Sequence, residues 1–484
     1  MAFPKEQGKT TRTLYKVISM KKYYFLWLVF SLFFACNTYR SLPDLAFDNN
    51  WKTQVIEASL QSGEGDPEKG WEYLISGDYI GSGIPFDLVK KKIANQKDTI
   101  LNRTGENAYM PFGLTVFNHA NGIKVMSGNC LTCHGGFLND EFIPGLGGLG
   151  TNDFSKKNAG SFKVLNTLVK LKYKKGTKER EAFEVFGKIN KEALSYIVTP
   201  FSGVNPAFRL EEAYIMKRNR TDLTLQEDSN YKLDKRYTLA SDVPPWWHLK
   251  KKNALYYNGM GRGDFTKLLM QASTQGVRDS TEARQIQKNF KDVLAYLKTI
   301  EAPKYPYPVN DRLAASGKKL FIDHCSKCHG TYDVPETYPN KLVSLELVKT
   351  DPYYARNFST KMHLANWYNE SWYGISEPRS WVTPLDGYIA PPLDGIWATA
   401  PYFHNASVPT LEGVLNSKSR PVYWKRIDEL DHEKMGWKYQ NLNNAKDKNT
   451  YNTTLPGYGN QGHYFGDKFS EKEREYLIAY LKTL

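Results

Sequence analysis

The stretch Cys130-Leu131-Thr132-Cys133-His134 decides how the chain is read, and it returns as Cys325-Ser326-Lys327-Cys328-His329. Two cysteines three apart at a helix start can each add to a haem vinyl group, and the histidine that follows turns its imidazole onto the iron. Of the five cysteines in the chain, four fall into these two copies, which makes chance a poor explanation. A four-cysteine zinc site is the first alternative. The copies lie nearly two hundred positions apart, however, and zinc leaves the histidine after each unexplained. A thioredoxin-like dithiol needs a βαβ context, and neither copy has one. The expected cofactors are two covalently bound haem c groups, attached at Cys130, Cys133, Cys325 and Cys328, with iron on His134 and His329.

At 484 residues the chain can bury a substantial core with a cofactor inside it, and two haems suggest two domains. The formal charge is +14. Five of those charges come from the first 35 residues, where Lys5, Lys9, Arg12, Lys16, Lys21 and Lys22 stand against Glu6. Four haem propionates lower the remainder further, so no nucleic-acid partner is expected.

Lys21-Lys22 precede the apolar run from Phe25 to Ala35, and Cys36 follows a small residue. About a dozen apolar residues suit a signal peptide and fall short of the ~20 that a membrane span needs. Export, a periplasmic location and haem attachment agree with one another, since the four remaining cysteines are consumed by haem and leave no disulfide framework. Leu32-Phe33-Phe34-Ala35-Cys36 resembles a bacterial lipobox with phenylalanine for the usual leucine, which implies lipidation of Cys36 and anchoring to a membrane. A plain signal peptide and an uncleaved anchor are the alternatives. Met20 is a second candidate start.

Residues 41–129 read as turns and short helices around scattered aromatics, with a helix from Pro67 to Ile75. The glycine-rich run Ile143 to Gly150 is no P-loop, because no Gly-Lys-Ser/Thr ends it; it reads as backbone that approaches a porphyrin edge. Apolar positions at helical spacing between 160 and 196, interrupted by a lysine-rich turn, predict a helical hairpin with a solvated basic tip. A lipid- or partner-docking role for Lys170 to Lys178 is the sharper reading of that tip. Pro244-Pro245-Trp246-Trp247-His248 builds a rigid aromatic corner able to close one face of a haem, and tryptophans that merely fill core explain it equally well.

Ala295-Tyr296-Leu297-Lys298-Thr299-Ile300 recurs as Ala479-Tyr480-Leu481-Lys482-Thr483-Leu484, each ending an amphipathic helix. Duplication of one haem-binding unit explains this. The linker Glu301 to Asn310, with three prolines, separates the copies. Ala315 and Gly317 in the helix from Asp311 are small enough for close crossing by the last helix. The expected architecture is mainly α, with long loops and little β: a leader at 1–35, an N-terminal cytochrome c-like domain at 36–305 and a C-terminal one at 306–484.

The two C-x-x-C-H units, the intervening Tyr-Leu-Lys-Thr and the run Thr399-Ala400-Pro401-Tyr402-Phe403-His404-Asn405-Ala406 resemble the dihaem cytochrome c peroxidase and MauG superfamily. The Pro244 to Lys252 corner, Pro391-Pro392-Leu393-Asp394-Gly395-Ile396-Trp397 and Arg420-Pro421-Val422 are closer to its rubber-oxygenase-like branch. The peroxidases carry a methionine ligand where this chain has His463, so the resemblance implies His463 as the sixth ligand of the second iron, with Met435 and His404 as alternatives. It also implies a calcium ion between domains, on the carbonyls of Thr399 and Pro401.

The resemblance implies an oxidoreductase in which a small cytochrome or similar donor feeds the C-terminal haem while peroxide or oxygen reacts at the N-terminal one. His248, Trp246 and Trp247 are the candidate catalytic residues there. A pure electron-transfer cytochrome with both irons six-coordinate and a dioxygenase cleaving an unsaturated organic substrate are the alternatives. What each iron does depends on whether its second face is closed by a strong ligand.

Overall fold

The computed structural model describes residues 52–93, 97–147, 156–196, 198–226 and 241–484. The leader and Cys36 lie outside them. No described helix is long and apolar enough to cross a membrane.

Two helix pairs carry the frame, and local chemistry starts each helix. Pro67–Ser76 begins with proline at its first turn, and the Asp66 carboxylate accepts from the backbone N–H groups of Glu68 and Lys69. Ser280–Thr299 is capped in the same way by Asp279. Asn310 caps Asp311–His324, and Ser470 with Glu473 forms a reciprocal capping box at the start of Glu471–Leu481.

The pairs cross at glycine. A Cβ on Gly70 would lie 2.0 Å from the Asp292 carbonyl oxygen, and one on Gly317 would lie 1.9 Å from that of Tyr476. Such backbone-to-backbone approach admits no side chain. Of the two small residues expected at the second crossing, Gly317 makes it; Ala315 is exposed and Ala314 is the buried neighbour. Both repeated Tyr-Leu-Lys-Thr segments lie at the end of a helix of a crossing pair.

The expectation of a mainly α fold with little β is wrong. The structure holds 42% helix and 16% strand, a mixed α/β composition, with five small sheets among the described residues. Short turns make the difference. Asn139 and Asp140 both take positive φ, 52° and 63°, the backbone of a type I′ turn, and join Gly135–Leu138 to Glu141–Pro144 as a hairpin where only a loop was expected. Leu114–Asn118 pairs with Lys124–Gly128, which also pairs with Ile84–Pro85. A longer hairpin, Tyr423–Asp431 with Gly436–Leu442, turns at Met435, φ 54°. The predicted helical hairpin is present as Lys156–Lys172 and Lys178–Tyr196.

The two largest of five buried clusters among the described residues interlock along the chain. One gathers Leu74, Leu131, Phe290 and Leu297 with Val343, Tyr354, Trp372 and Tyr388. The other gathers Leu138 and Trp247 with Phe321, Trp397, Leu477 and Tyr480. Strand Thr53–Val55 pairs with Lys341–Ser344, which pairs in turn with Gly387–Ile389.

Candidate functional site

Each C-x-x-C-H unit closes one helical turn in the same way. The His134 N–H donates to the Cys130 carbonyl at 3.0 Å, and the His329 N–H to the Cys325 carbonyl at 3.0 Å. The four cysteines are unpaired. Burial pushes the Cys130 and Cys325 thiols up to about 11. Among the described residues no group of three or more His, Cys, Asp or Glu side chains gathers to hold a metal ion.

Around His329 two imidazoles face one another. His329 Nδ1 donates to the Pro391 carbonyl at 2.9 Å, which fixes the tautomer and leaves Nε2 as the basic nitrogen. The ring centroids of His329 and His463 are 6.4 Å apart. A metal bonded to one nitrogen of each ring needs about 6.2 Å, from bonds of about 2.0 Å and about 1.1 Å from nitrogen to ring centre. His463 Nδ1 is buried and lacks a hydrogen-bond partner. Burial, aided by the His329 and Arg420 charges, pushes the His463 imidazole down to about 3, so it is neutral as a ligand must be. These residues fit a haem iron held from both faces.

The backbone around His463 is built to hold it there. It has positive φ, 49°, and its N–H donates to the Val348 carbonyl at 2.7 Å. Arg420 Nη1 donates to the Asn460 and Gly462 carbonyls, each at 2.7 Å, and stacks its guanidinium over Phe403 at 4.9 Å. The Pro391 side is clamped by Tyr338, whose hydroxyl donates to the Ala390 carbonyl at 2.6 Å, and by Tyr332, which accepts from the Leu393 N–H at 2.6 Å.

Around His134 the surroundings differ. Its Nδ1 is buried without a partner, and burial pushes the imidazole down to about 4. Trp246 stacks on it at 4.8 Å between centroids, 24° from parallel. The glycine-rich run turns out to serve this contact: a Cβ on Gly145 would lie 2.8 Å from the Trp246 Cβ, and one on Gly147 would lie 1.7 Å from the Val243 carbonyl oxygen. The run's last residues, 148–150, fall outside the described set.

The next two residues of the aromatic corner reach the other way. Trp247 Nε1 donates to the Asp394 carbonyl at 2.8 Å, and His248 Nε2 donates to the same oxygen at 2.9 Å. Burial lowers the His248 pKa to about 4, with the Asp394 bond opposing and the Lys252 charge assisting. Asp394 lies three residues after Pro391, so the corner joins the stacked His134 to the segment that orients His329.

Among the alternative ligands, His404 stacks on Tyr388 at 4.1 Å and its Nε2 meets the Tyr388 hydroxyl at 3.1 Å. Met435 is buried in the second apolar cluster.

Three contributors escaped sequence reasoning. Pro391 stood in a quoted run whose mechanical role no spacing rule reveals. Lys252, pushed down to about 8 by burial, is an interior cation beside His248. Glu211 lies on the helix Ala207–Ile215, and burial alone pushes its carboxyl up to about 8. Glu211 raises the pKa of Tyr214, which Cys133 also reaches, and of Tyr256, Tyr354 and Tyr368. Nothing in Leu210-Glu211-Glu212 separates it from Glu212, which instead pairs with Arg209 and Lys361.

Residues 387–425 match the family model described as RoxA-like, cytochrome c-like. That segment holds Pro391, Asp394, His404 and Arg420. Two curated proteins of Sinorhizobium fredii (strain NBRC 101917 / NGR234) are similar to the chain. Uncharacterized protein y4iJ is 41% identical over 108 residues, 20% of this chain and 18% of its own length. Uncharacterized protein y4iM is 26% identical over 236 residues, 45% of this chain and 54% of its own length. The chain thus spans about half or less of these relatives. A cytochrome c-like segment implies haem c and a haem-containing oxidoreductase or electron-transfer role.

Proposed function

We propose that this chain is an exported cytochrome with two haem c groups, anchored through Cys36, which takes electrons on the His329 side and reacts peroxide or oxygen on the His134 side. The observation that carries the reading is the inequality of the two sites. His329 has His463 facing it at 6.4 Å, whereas His134 has an indole stacked against its ring and an unpaired Nδ1.

Haem, when bound, supplies a redox-active iron whose free face can take a small oxidant. The chain's own groups do the rest. Pro391 orients His329 and strengthens it as a donor, while His134 has no such bond to its Nδ1. Glu211, protonated at neutral pH, can give a proton from its carboxyl to a departing oxygen and take one back. Trp246, Trp247 and the Asp394 carbonyl form a short stacked and hydrogen-bonded route between the two histidines. Lys252, half-buried, offers a positive charge suited to a haem propionate. The match of residues 387–425 to a RoxA-like model favours a second reading, oxygen-dependent attack on an organic substrate at the same site.

Carbon monoxide titration of the dithionite-reduced holoprotein tests the proposal. Binding at one haem supports it. Binding at neither leaves a pure electron carrier and ends the enzyme reading. Turnover of peroxide with a reduced small cytochrome, or oxygen uptake with an unsaturated compound, then separates the two chemistries.

A further inference from the structure

The helix Lys156–Lys172 is apolar on two opposite sides, and the fold uses one of them. Leu165, Asn166 and Val169 face the neighbouring helix Lys178–Tyr196, and Val169 is fully buried. On the far side Val164, Leu168 and Leu171 are 60%, 48% and 75% exposed. At 3.6 residues per turn these three fall within roughly 60° of arc, a continuous stripe rather than scattered leucines. Large aliphatic side chains kept in water along one helix face call for a cover.

The charges beside the stripe say what kind of cover. Lys163, Lys170, Lys172, Lys174, Lys175 and Lys178 lie in the helix and the turn after it, and no acidic residue occurs from 160 to 178. By the same helical spacing Lys172 lies on one flank of the stripe and Lys163 on the other, while Lys170 sits farther round, toward the helix Lys178–Tyr196. An apolar stripe bordered by lysines is the pattern of a helix that lies in the plane of a bilayer, its leucines among the acyl chains and its ammonium groups at the phosphates. Long lysine stems extend the apolar surface while their heads stay in water.

We propose that the outward face of this helix docks on an anionic phospholipid surface. Leu168 and Leu171 insert, and the lysines of the following turn hold the headgroups. A lipid on Cys36 would tether the chain at one point, and a polybasic, apolar helix face adds a second contact with the bilayer. The contact would also fix which side of the molecule faces the membrane.

The test uses the full-length holoprotein carrying Cys36→Ser, so that every variant shares the same unacylated N-terminus. Co-sedimentation is measured with vesicles of phosphatidylglycerol and phosphatidylcholine, and with vesicles of phosphatidylcholine alone. The parent is expected to bind the mixed vesicles roughly tenfold or more tightly than the neutral ones, and to lose most of that preference in about 0.5 M salt, which screens surface charge. Leu168→Asp with Leu171→Asp, and separately Lys170→Gln with Lys174→Gln and Lys175→Gln, should each reduce binding to the mixed vesicles by roughly tenfold, with the haem absorption spectrum unchanged. Should the double aspartate variant lose its haem spectrum, Leu171→Ser replaces it, since that side chain is 75% exposed and makes the least contact with the fold. A parent that sediments equally with both vesicle types, or with neither, overturns the proposal; the second result leaves an acidic protein as the occupant. Variants that bind as the parent does overturn it too.

Discussion

Replacing His463 by alanine removes one of two imidazoles 6.4 Å apart, a spacing that suits one metal bonded to both within a few tenths of an ångström. The His329 side is unaltered by the change, because its orienting bond to the Pro391 carbonyl comes from another segment. The second iron should pass from six ligands to five, and a face that was closed should open. Counted by carbon monoxide, the reduced parent binds about one equivalent per chain and His463→Ala about two. In the oxidised protein, EPR should show a low-spin signal in the parent that is replaced by a high-spin one of matching intensity. Loss of a buried ring also leaves a cavity, so thermal melting should fall, and imidazole added from solution should restore the low-spin signal. A parent that already binds two equivalents, or a variant that still binds one with its low-spin signal intact, would refute the assignment of His463.

Glu211→Gln should depress peroxide turnover by roughly a hundredfold, the usual scale for a lost acid or base, and leave carbon monoxide binding intact. The pH profile carries the sign: a carboxyl pushed up to about 8 holds its proton below that pH, so the parent's activity falls as pH rises through about 8, and the glutamine variant lacks that limb. Gly317→Ala places a Cβ 1.9 Å from the Tyr476 carbonyl oxygen, so the helices must part by more than an ångström, at a cost of about 1–3 kcal/mol or more read by urea unfolding. Trp246→Leu removes the ring stacked on His134 and should slow electron passage between the haems in stopped-flow reduction while leaving both haem spectra in place; an unchanged rate would remove Trp246 from the route.

The parts of this molecule that could be read from the sequence are those set by local chemistry. The C-x-x-C-H turns, the capped helices at Pro67 and Asp311, the repeated Tyr-Leu-Lys-Thr ends and the helical hairpin each depend on residues a few positions apart. The strands were missed because most are short, and their registers are set either by a brief turn such as Asn139-Asp140 or by partners far away in sequence, as for Thr53–Val55 on Lys341–Ser344. The glycine-rich run reads as backbone made for close approach to a porphyrin edge, and the partner that Gly145 approaches is Trp246, a hundred residues away, which no window of sequence contains. For the same reason Pro391 and Glu211 were invisible: a carbonyl's aim and a carboxyl's burial are properties of the assembled core.

The interlocking of the two apolar clusters sets an order of events for biogenesis. Val343, Tyr354 and Tyr388 help to roof the cluster that contains Leu131, inside the first attachment turn. A polypeptide delivered amino end first therefore leaves Cys130 and Cys133 reachable until some 250 further residues have arrived, which gives the attachment enzymes a long interval at the first turn. Shortened chains ending before residue 340 should accordingly keep the first turn open and, in cells that hold the attachment enzymes, carry haem at Cys130 and Cys133 in full, an outcome visible by mass alone.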